Sequence, residues 1–281
     1  MGGYAIFQYY ASPEWDLLGI EEIGSEWMGI GDIDGWRVWS TMGHSYAFAF
    51  NIFPGLILLQ AARGGILNSA STIVGYASFL ICRIRTGWIA FIIAFLSYFF
   101  SVKFHKKGKI FVFMIISFLI IVPILFQNET LQKIITTRLS SFSGLNTDYS
   151  LADRTGQFQR YSLTFADIIG RGIFLNHAFG FGMGDMGFMT LFISLGLPGT
   201  IFFCGGMLKI FATLLQSSAG ISDDFFIAAR AIAFASVARI PTSAISFDEN
   251  AMPVWGFIGI ACAAHKYFYQ SYGSQLNRTT R

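Results

Sequence analysis

Seven apolar runs, each near the length of a membrane-crossing helix, succeed one another along this chain with short polar links between most of them. They fall at 46–62, 65–82, 86–102, 110–126, 187–208, 225–245 and 251–269. A bilayer core takes about 20 apolar residues as helix, with roughly 17 as the lower limit. The fourth run, IFVFMIISFLIIVPILF, carries no charge; the second is diluted by Asn68, Ser69, Ser71 and Thr72, and the sixth contains Arg230 and Arg239. Helices apolar on every side, instead of along one stripe, belong in a protein core or a bilayer. The pattern predicts an all-α fold, a polytopic transmembrane helical bundle of about seven spans with one long, partly helical extracytoplasmic loop.

That loop, 127–186, is the only long polar interruption, and it gathers Arg138, Arg154, Arg160, Arg171 and His177 between two apolar walls. Loops of this length are functional or disordered, and this one spaces out aromatics and glycines without a low-complexity run. The expected organisation is an extracytoplasmic segment at 1–45, four spans at 46–126, the loop with the candidate active site at 127–186, three spans at 187–270 and a cytoplasmic tail at 271–281.

Composition supports the membrane reading: 54% of residues are hydrophobic, 31 are Phe, mean hydropathy is +0.55 and only 12% are charged, against about a quarter charged in soluble domains. Cytoplasmic loops are enriched in Lys and Arg. Lys103, Lys106, Lys107 and Lys109 therefore place the link between the third and fourth spans inside. Alternation from there puts the N-terminal segment, Arg83, Arg85 and the long loop outside, and Arg63, Lys209 and the C-terminus inside. The acidic residues Glu14, Asp16, Glu21, Glu22, Glu26, Asp32 and Asp34 then lie outside, and Trp88 and Trp255 sit near the outer starts of their spans. The opening MGGYAIFQYY has no basic n-region and no apolar core, so it does not read as a signal peptide. Either earlier spans precede this segment in the full protein, or the first span carries the tail across unaided.

Several chemistries drop out. Cys82, Cys204 and Cys262 lie in or at the edge of apolar runs, which disfavours disulfides and thiolate metal sites. His44, His105, His177 and His265 show no paired-ligand spacing, so no metal is expected, and no phosphate-binding glycine motif follows a strand. Basic residues are dispersed along loops and not clustered on one soluble face, so no nucleic acid partner is expected.

The arginines remain. A guanidinium stays charged at physiological pH and offers a planar fork that matches phosphate oxygens two at a time, so several converging at a membrane surface suit an anionic lipid headgroup. Arg83 and Arg85 close the tight turn Arg83-Ile84-Arg85-Thr86, where they either snorkel to headgroups or hold such an anion. Arg171 sits in the turn Gly170-Arg171-Gly172. Gly180, Gly182 and Gly184 either make turns or bring backbone amides to an anion. Within the sixth run Arg230 has room to snorkel inward and Arg239 outward. Residues 131–142 have an apolar helical face suited to lying on the outer leaflet, residues 157–169 read as a second loop helix, and 273–281 as a disordered tail.

Four stretches together resemble a known family. RTGWIAF, from Arg85 to Phe91, resembles the SRxGWLA signature of the bacterial O-antigen ligase and polysaccharide polymerase superfamily. Upstream, Arg37-Val38-Trp39-Ser40-Thr41-Met42-Gly43-His44 looks like its RxxGTxxxPN segment, with Ser45-Tyr46 in place of Pro-Asn. Asp153-Arg154-Thr155, followed by Phe158 and Tyr161, resembles GRTxLW. Asp185-Met186-Gly187-Phe188-Met189 with Leu195-Gly196-Leu197-Pro198-Gly199 resembles DNGYLxLLLxLGLPG. The likeness covers roughly 37–267, the C-terminal two-thirds of a typical member.

The resemblance implies a glycosyltransferase of the inner (cytoplasmic) membrane, with no cofactor and no metal. It would join undecaprenyl-pyrophosphate-linked glycans at the periplasmic face, as in O-antigen or exopolysaccharide synthesis. Membrane lipids and a polysaccharide chain-length regulator are the further expected partners. Arg85 and Arg154 would clamp the pyrophosphate, with Arg37 and Arg160 next in rank, and either His177 or Asp185 would be the catalytic base. Asp153-Arg154-Thr155 and Asp185-Met186-Gly187 match the polymerase forms more than those of a ligase acting on lipid A-core. A lipid-linked glycan transporter and a non-enzymatic assembly partner remain as the other classes.

Overall fold

The apolar runs fold as helices in a computed structural model of the chain, which describes residues 1–11, 13–16, 38–62, 64–126, 132, 136, 164–172, 187–216, 223–240 and 251–279. Among these residues every regular element is helical: α1 (Gly2–Ala11), a 3-10 turn (Ser40–Met42), α2 (Ser45–Ala61), α3 (Ile66–Ile81), α4 (Arg85–Ser101), α5 (Phe104–Phe126), α6 (Phe165–Ile169), α7 (Gly187–Leu215), α8 (Asp224–Arg239) and α9 (Ala251–Thr279). The chain forms two compact units, Met1–Leu145 and Asn146–Arg281, divided inside the long polar stretch.

Helices α2, α3 and α4 match the expected runs to within a residue. Elsewhere the boundaries move. The basic link is not a loop throughout: α5 starts at Phe104, so Lys106, Lys107 and Lys109 belong to its first turns, and the Lys106 amide donates to the Lys103 carbonyl at 2.9 Å. Lysine is a good helix former, and no proline interrupts there. The Lys107 ammonium lies over the rings of Phe99 and Phe100, at 5.6 and 5.8 Å from their centroids. Helix α9 runs to Thr279, so the expected disordered tail is helical through most of its length. The sixth run is helical only to Arg239 before a 3-10 residue at Ile240, and 241–250 lie outside the described residues. Of the two expected loop helices, α6 is the end of the second; of the first, only Gln132 and Thr136 are described, both helical.

Among the described residues α7 is long and apolar enough to cross a membrane. The apolar helices α2, α3 and α4 have 17, 16 and 17 residues, or about 25 Å each at 1.5 Å per residue.

In the first unit α2 packs on both α3 and α4, and α3 also carries α1. Phe48, Phe53, Leu56 and Ile57 of α2 are buried against this surround. Two glycines set the helix spacing. A Cβ on Gly75 would stand 2.8 Å from Leu56 Cδ2, and one on Gly87 would stand 3.1 Å from Ala49 Cβ. Phe91, Phe95 and Phe99 stack at 5.9 Å intervals along α4, and Tyr76 and Phe79 of α3 meet Phe91 edge-on.

In the second unit α8 and α9 pack closely along each other, and α7 touches both. The α8 sequence DFFIAARAIAFASVAR buries Ala228, Ala229, Ala231, Ala233 and Ala235 together with Ile232. Alanine fits a helix touched on several sides, because it keeps backbones close and loses no rotamer freedom. Met207 and Leu214 of α7, Ala233 and Val237 of α8, and Val254, Ile258 and Ala261 of α9 share one core cluster. Arg230 donates to the Gln216 carbonyl just past the end of α7 at 3.3 Å, and Arg239 is buried.

Candidate functional site

The turn between α3 and α4 is built by an unusual residue. Helices often end on a left-handed residue, usually glycine; here Arg83 takes that conformation, with φ of 59°. Ile84 is extended, and α4 begins at Arg85. The Arg83 amide donates to the Leu80 carbonyl at 3.2 Å, closing the turn. Arg83 does not snorkel. It is only 5% exposed, and its guanidinium lies over the Tyr9 ring of α1 at 5.9 Å. Burial pushes the Tyr9 phenol above its ordinary pKa, while the charge of Arg83 and a hydrogen bond from it pull the other way.

Arg85, the one proposed pyrophosphate ligand among the described residues, is half-buried as the first residue of α4. A cation at a helix amino end opposes the helix dipole, so the combination concentrates positive charge. Beside it the Thr86 hydroxyl is buried without a hydrogen-bond partner. The rest of the RTGWIAF run has a packing role: Gly87 admits Ala49, and the Trp88 indole donates to the Phe79 carbonyl at 3.2 Å.

The other stretch at this end is the turn before α2. The Cys82 thiol donates to the Ser45 carbonyl at 3.3 Å, which ties the start of α2 to the end of α3. His44 caps α2, its Nδ1 accepting from the Tyr46 amide at 3.1 Å. Just upstream Trp39 and Ser40 turn both amides onto one oxygen, Gln8 Oε1, at 3.0 and 2.9 Å. Gln8 Nε2 donates in turn to Asp16 Oδ2 at 2.7 Å, which also accepts from the Tyr4 hydroxyl at 3.1 Å. Two segments, VWSTMGH and RTGWIAF, about forty residues apart in sequence, thus share one end of the first unit.

Gln8 was not singled out by the sequence, since a lone glutamine in GGYAIFQYYA carries no local signal. Replacing it with leucine leaves two buried amides without their acceptor, a cost of about 2 kcal/mol. Limited proteolysis should then cut the N-terminal segment faster than in the wild type. Equal cleavage rates would mean that the contact contributes nothing to docking.

Arg37, Arg154, Arg160, His177 and Asp185 lie outside the described residues. Arg171 lies in the second unit, in a turn that the sequence did not connect to any partner. Thr164 and Asp167 form a capping box on α6: Asp167 Oδ2 accepts from the Thr164 amide and hydroxyl, each at 2.7 Å. The fully buried Asp167 also pairs with Arg171 Nε, and Arg171 Nη2 donates to Thr164 Oγ1 at 2.9 Å. The turn then docks on α7, with the Arg171 amide donating to the Ile193 carbonyl at 2.8 Å and the Gly172 amide to the Ser194 carbonyl at 3.0 Å. At that point α7 breaks: Gly196 has φ of 67° and ψ of −178°. The capping box is legible as Thr164-x-x-Asp167; the docking is not.

Comparison of the chain with protein-family models, with curated proteins and with solved structures finds no match.

Proposed function

We propose that this protein is a polysaccharide polymerase-like glycosyltransferase of the bacterial inner membrane, joining undecaprenyl-pyrophosphate-linked glycans at the periplasmic face. The seven-span arrangement, with the loop at 127–186 outside, belongs to the same proposal. The carrying observation is the shared end of the first unit, where the two upstream stretches of the family resemblance sit together and Arg85 opens α4 beside the unpartnered Thr86 hydroxyl. A guanidinium, a helix amino end and a hydroxyl donor suit the oxygens of a leaving pyrophosphate.

In the reaction the acceptor hydroxyl oxygen attacks the anomeric carbon as its bond to the lipid pyrophosphate breaks, with inversion. The hydroxyl proton passes to the base, His177 or Asp185, and the electron pair leaves with the pyrophosphate. Arg85, with Arg154 and with Arg37 and Arg160 next in rank, stabilises that developing charge.

In cells relying on this protein, Arg85→Ala is expected to cut high-molecular-weight surface polysaccharide by about tenfold or more, the scale of one lost charge-assisted contact in the transition state. Arg85→Lys should recover part of it, since a point charge replaces the fork. Unchanged polymer from Arg85→Ala and Arg154→Ala at normal protein levels would defeat the enzymatic reading. The break in α7 favours a second reading, a transporter of the same lipid-linked glycans, because discontinuous helices are common at transporter binding sites. Under that reading single repeat units, not only polymer, would fail to reach the outer face.

A further inference from the structure

The lysines at the corner between α4 and α5 stand where a helix normally favours carboxylates. A helix amino end carries partial positive charge, so Asp and Glu are the stabilising residues of a first turn. Helix α5 has no acidic residue there; it opens with Lys106 and Lys107, and Lys103 lies just ahead of it. We propose that this corner binds an anionic phospholipid, with the phosphate on the ammonium groups of Lys103 and Lys107 and the acyl chains on the exposed apolar faces of α4 and α5.

The counter-charge does not come from the neighbouring chain. No Asp or Glu occurs between Asp34 and Glu129. Among the described residues no carboxylate pairs with Lys103 or Lys107. The described acidic residues of the first unit, Glu14 and Asp16, belong to its N-terminal segment. Asp16 accepts from Gln8, which holds the amides of Trp39 and Ser40, so it stands at the end of the unit where α2 begins. The lysine corner is at the other end. There the Tyr98 hydroxyl, near the close of α4, donates at 3.3 Å to the carbonyl of Gln60, where α2 finishes.

The surroundings of the lysines suit a lipid better than a free anion. The Lys107 ammonium is held over the rings of Phe99 and Phe100. Phe100 and Phe104, 71% and 89% exposed, flank the charges. From the corner an exposed apolar stripe runs along each helix: Ile92, Leu96 and Phe100 on α4, and Val112, Ile115 and Leu119 on α5. Spacings of three and four residues keep each set on one helix face. A phosphodiester carrying two hydrocarbon chains matches both parts, since lysine binds phosphate as a point charge and basic residues beside a membrane attract anionic headgroups.

The site presupposes the membrane arrangement proposed above, not the glycosyltransferase chemistry, and would exist equally in a transporter. The test is native mass spectrometry of the purified full chain in a neutral detergent, titrated with dioleoyl phosphatidylglycerol or dioleoyl phosphatidylcholine. The wild type should prefer phosphatidylglycerol by about tenfold or more, and Lys103→Gln or Lys107→Gln should each lower that preference about fivefold. Lys107→Arg should keep it. So should Lys209→Gln, which removes an exposed lysine of α7 in the second unit. Phe104→Ala should weaken both lipids alike, because it removes apolar contact and no charge. Glycerol 3-phosphate, which has no acyl chains, should not displace phosphatidylglycerol.

Equal binding of the two lipids by the wild type overturns the proposal, as does an unchanged preference in both Lys103→Gln and Lys107→Gln. A loss in Lys209→Gln as large as at the corner also overturns it, because the preference would then follow net charge and not place. Displacement by glycerol 3-phosphate would show a site for a soluble anion instead. Extraction of cell membranes with alkaline carbonate keeps the two levels apart. If the protein washes out, the membrane arrangement fails and this site with it; if it stays but does not prefer phosphatidylglycerol, this site alone fails.

Discussion

Gly196→Ala is expected to destabilise the second unit by on the order of 3–5 kcal/mol, seen as a fall in Tm of about 10 °C. The backbone at Gly196, with φ of 67° and ψ of −178°, lies in a region that essentially only glycine occupies. An added Cβ would stand 2.3 Å from both the carbonyl carbon and oxygen of Ile169 and 2.6 Å from the Gly170 amide nitrogen. All three atoms are backbone, so no side chain can swing aside. The constraint is mutual: Gly170, with φ of 102°, would place its own Cβ 2.7 Å from the Gly196 nitrogen. Gly205→Ala on the same helix is the control. Nothing lies within 4 Å of its Cβ position, and replacing a mid-helix glycine there should stabilise by about 0.5–1 kcal/mol. If the two variants unfold at similar temperatures, the turn at 170–172 does not dock on the break.

The second large effect is expected at Asp167. Its carboxylate is fully buried and serves the Thr164 amide, the Thr164 hydroxyl and the Arg171 guanidinium. Asp167→Ala strands all of these donors at once. Removing one partner of a buried ion pair costs about 3–5 kcal/mol; Arg171 is 21% exposed and recovers some hydration, so about 3 kcal/mol is expected. Asp167→Asn keeps an acceptor oxygen for the capping bonds and should lose less. The check is thermal unfolding of both variants against the wild type, with Arg171→Ala as a third variant. A loss in Asp167→Ala no larger than at an exposed carboxylate would show that the capping box adds little.

The helices were legible because their apolar runs are long and lack competing signals. Where α5 begins was not, since lysines marking a membrane boundary are also good helix formers, and periodicity says nothing of where a helix starts. The all-α class follows from the runs alone. The position of Arg85 at a tight turn was legible from the two apolar runs that flank it, and so was the turn at Arg171 from its two glycines. Arg83 was harder: its burial depends on Tyr9, more than seventy positions upstream, and no local pattern announces that α1 returns to cover it. The break in α7 was hidden in the same way. Gly196 and Pro198 mark an irregularity in an apolar run, but its form is set by Gly170, a residue in a different segment. Five of the six candidate site residues fall outside the described residues, so the structure bears on Arg85 alone.

The docking of α1 also fixes an order of events during synthesis. Its ten residues leave the ribosome before the elements they dock on, yet a helix of that length is marginal alone. Its partners are the amides of Trp39 and Ser40 and the face of α3 that holds Ile73, Tyr76 and Leu80, all made later. Helix α1 must therefore wait for its partners and settle only after α3 exists. A chain stalled before Ile81 has been made should leave α1 open to protease, and one released beyond Arg85 should protect it.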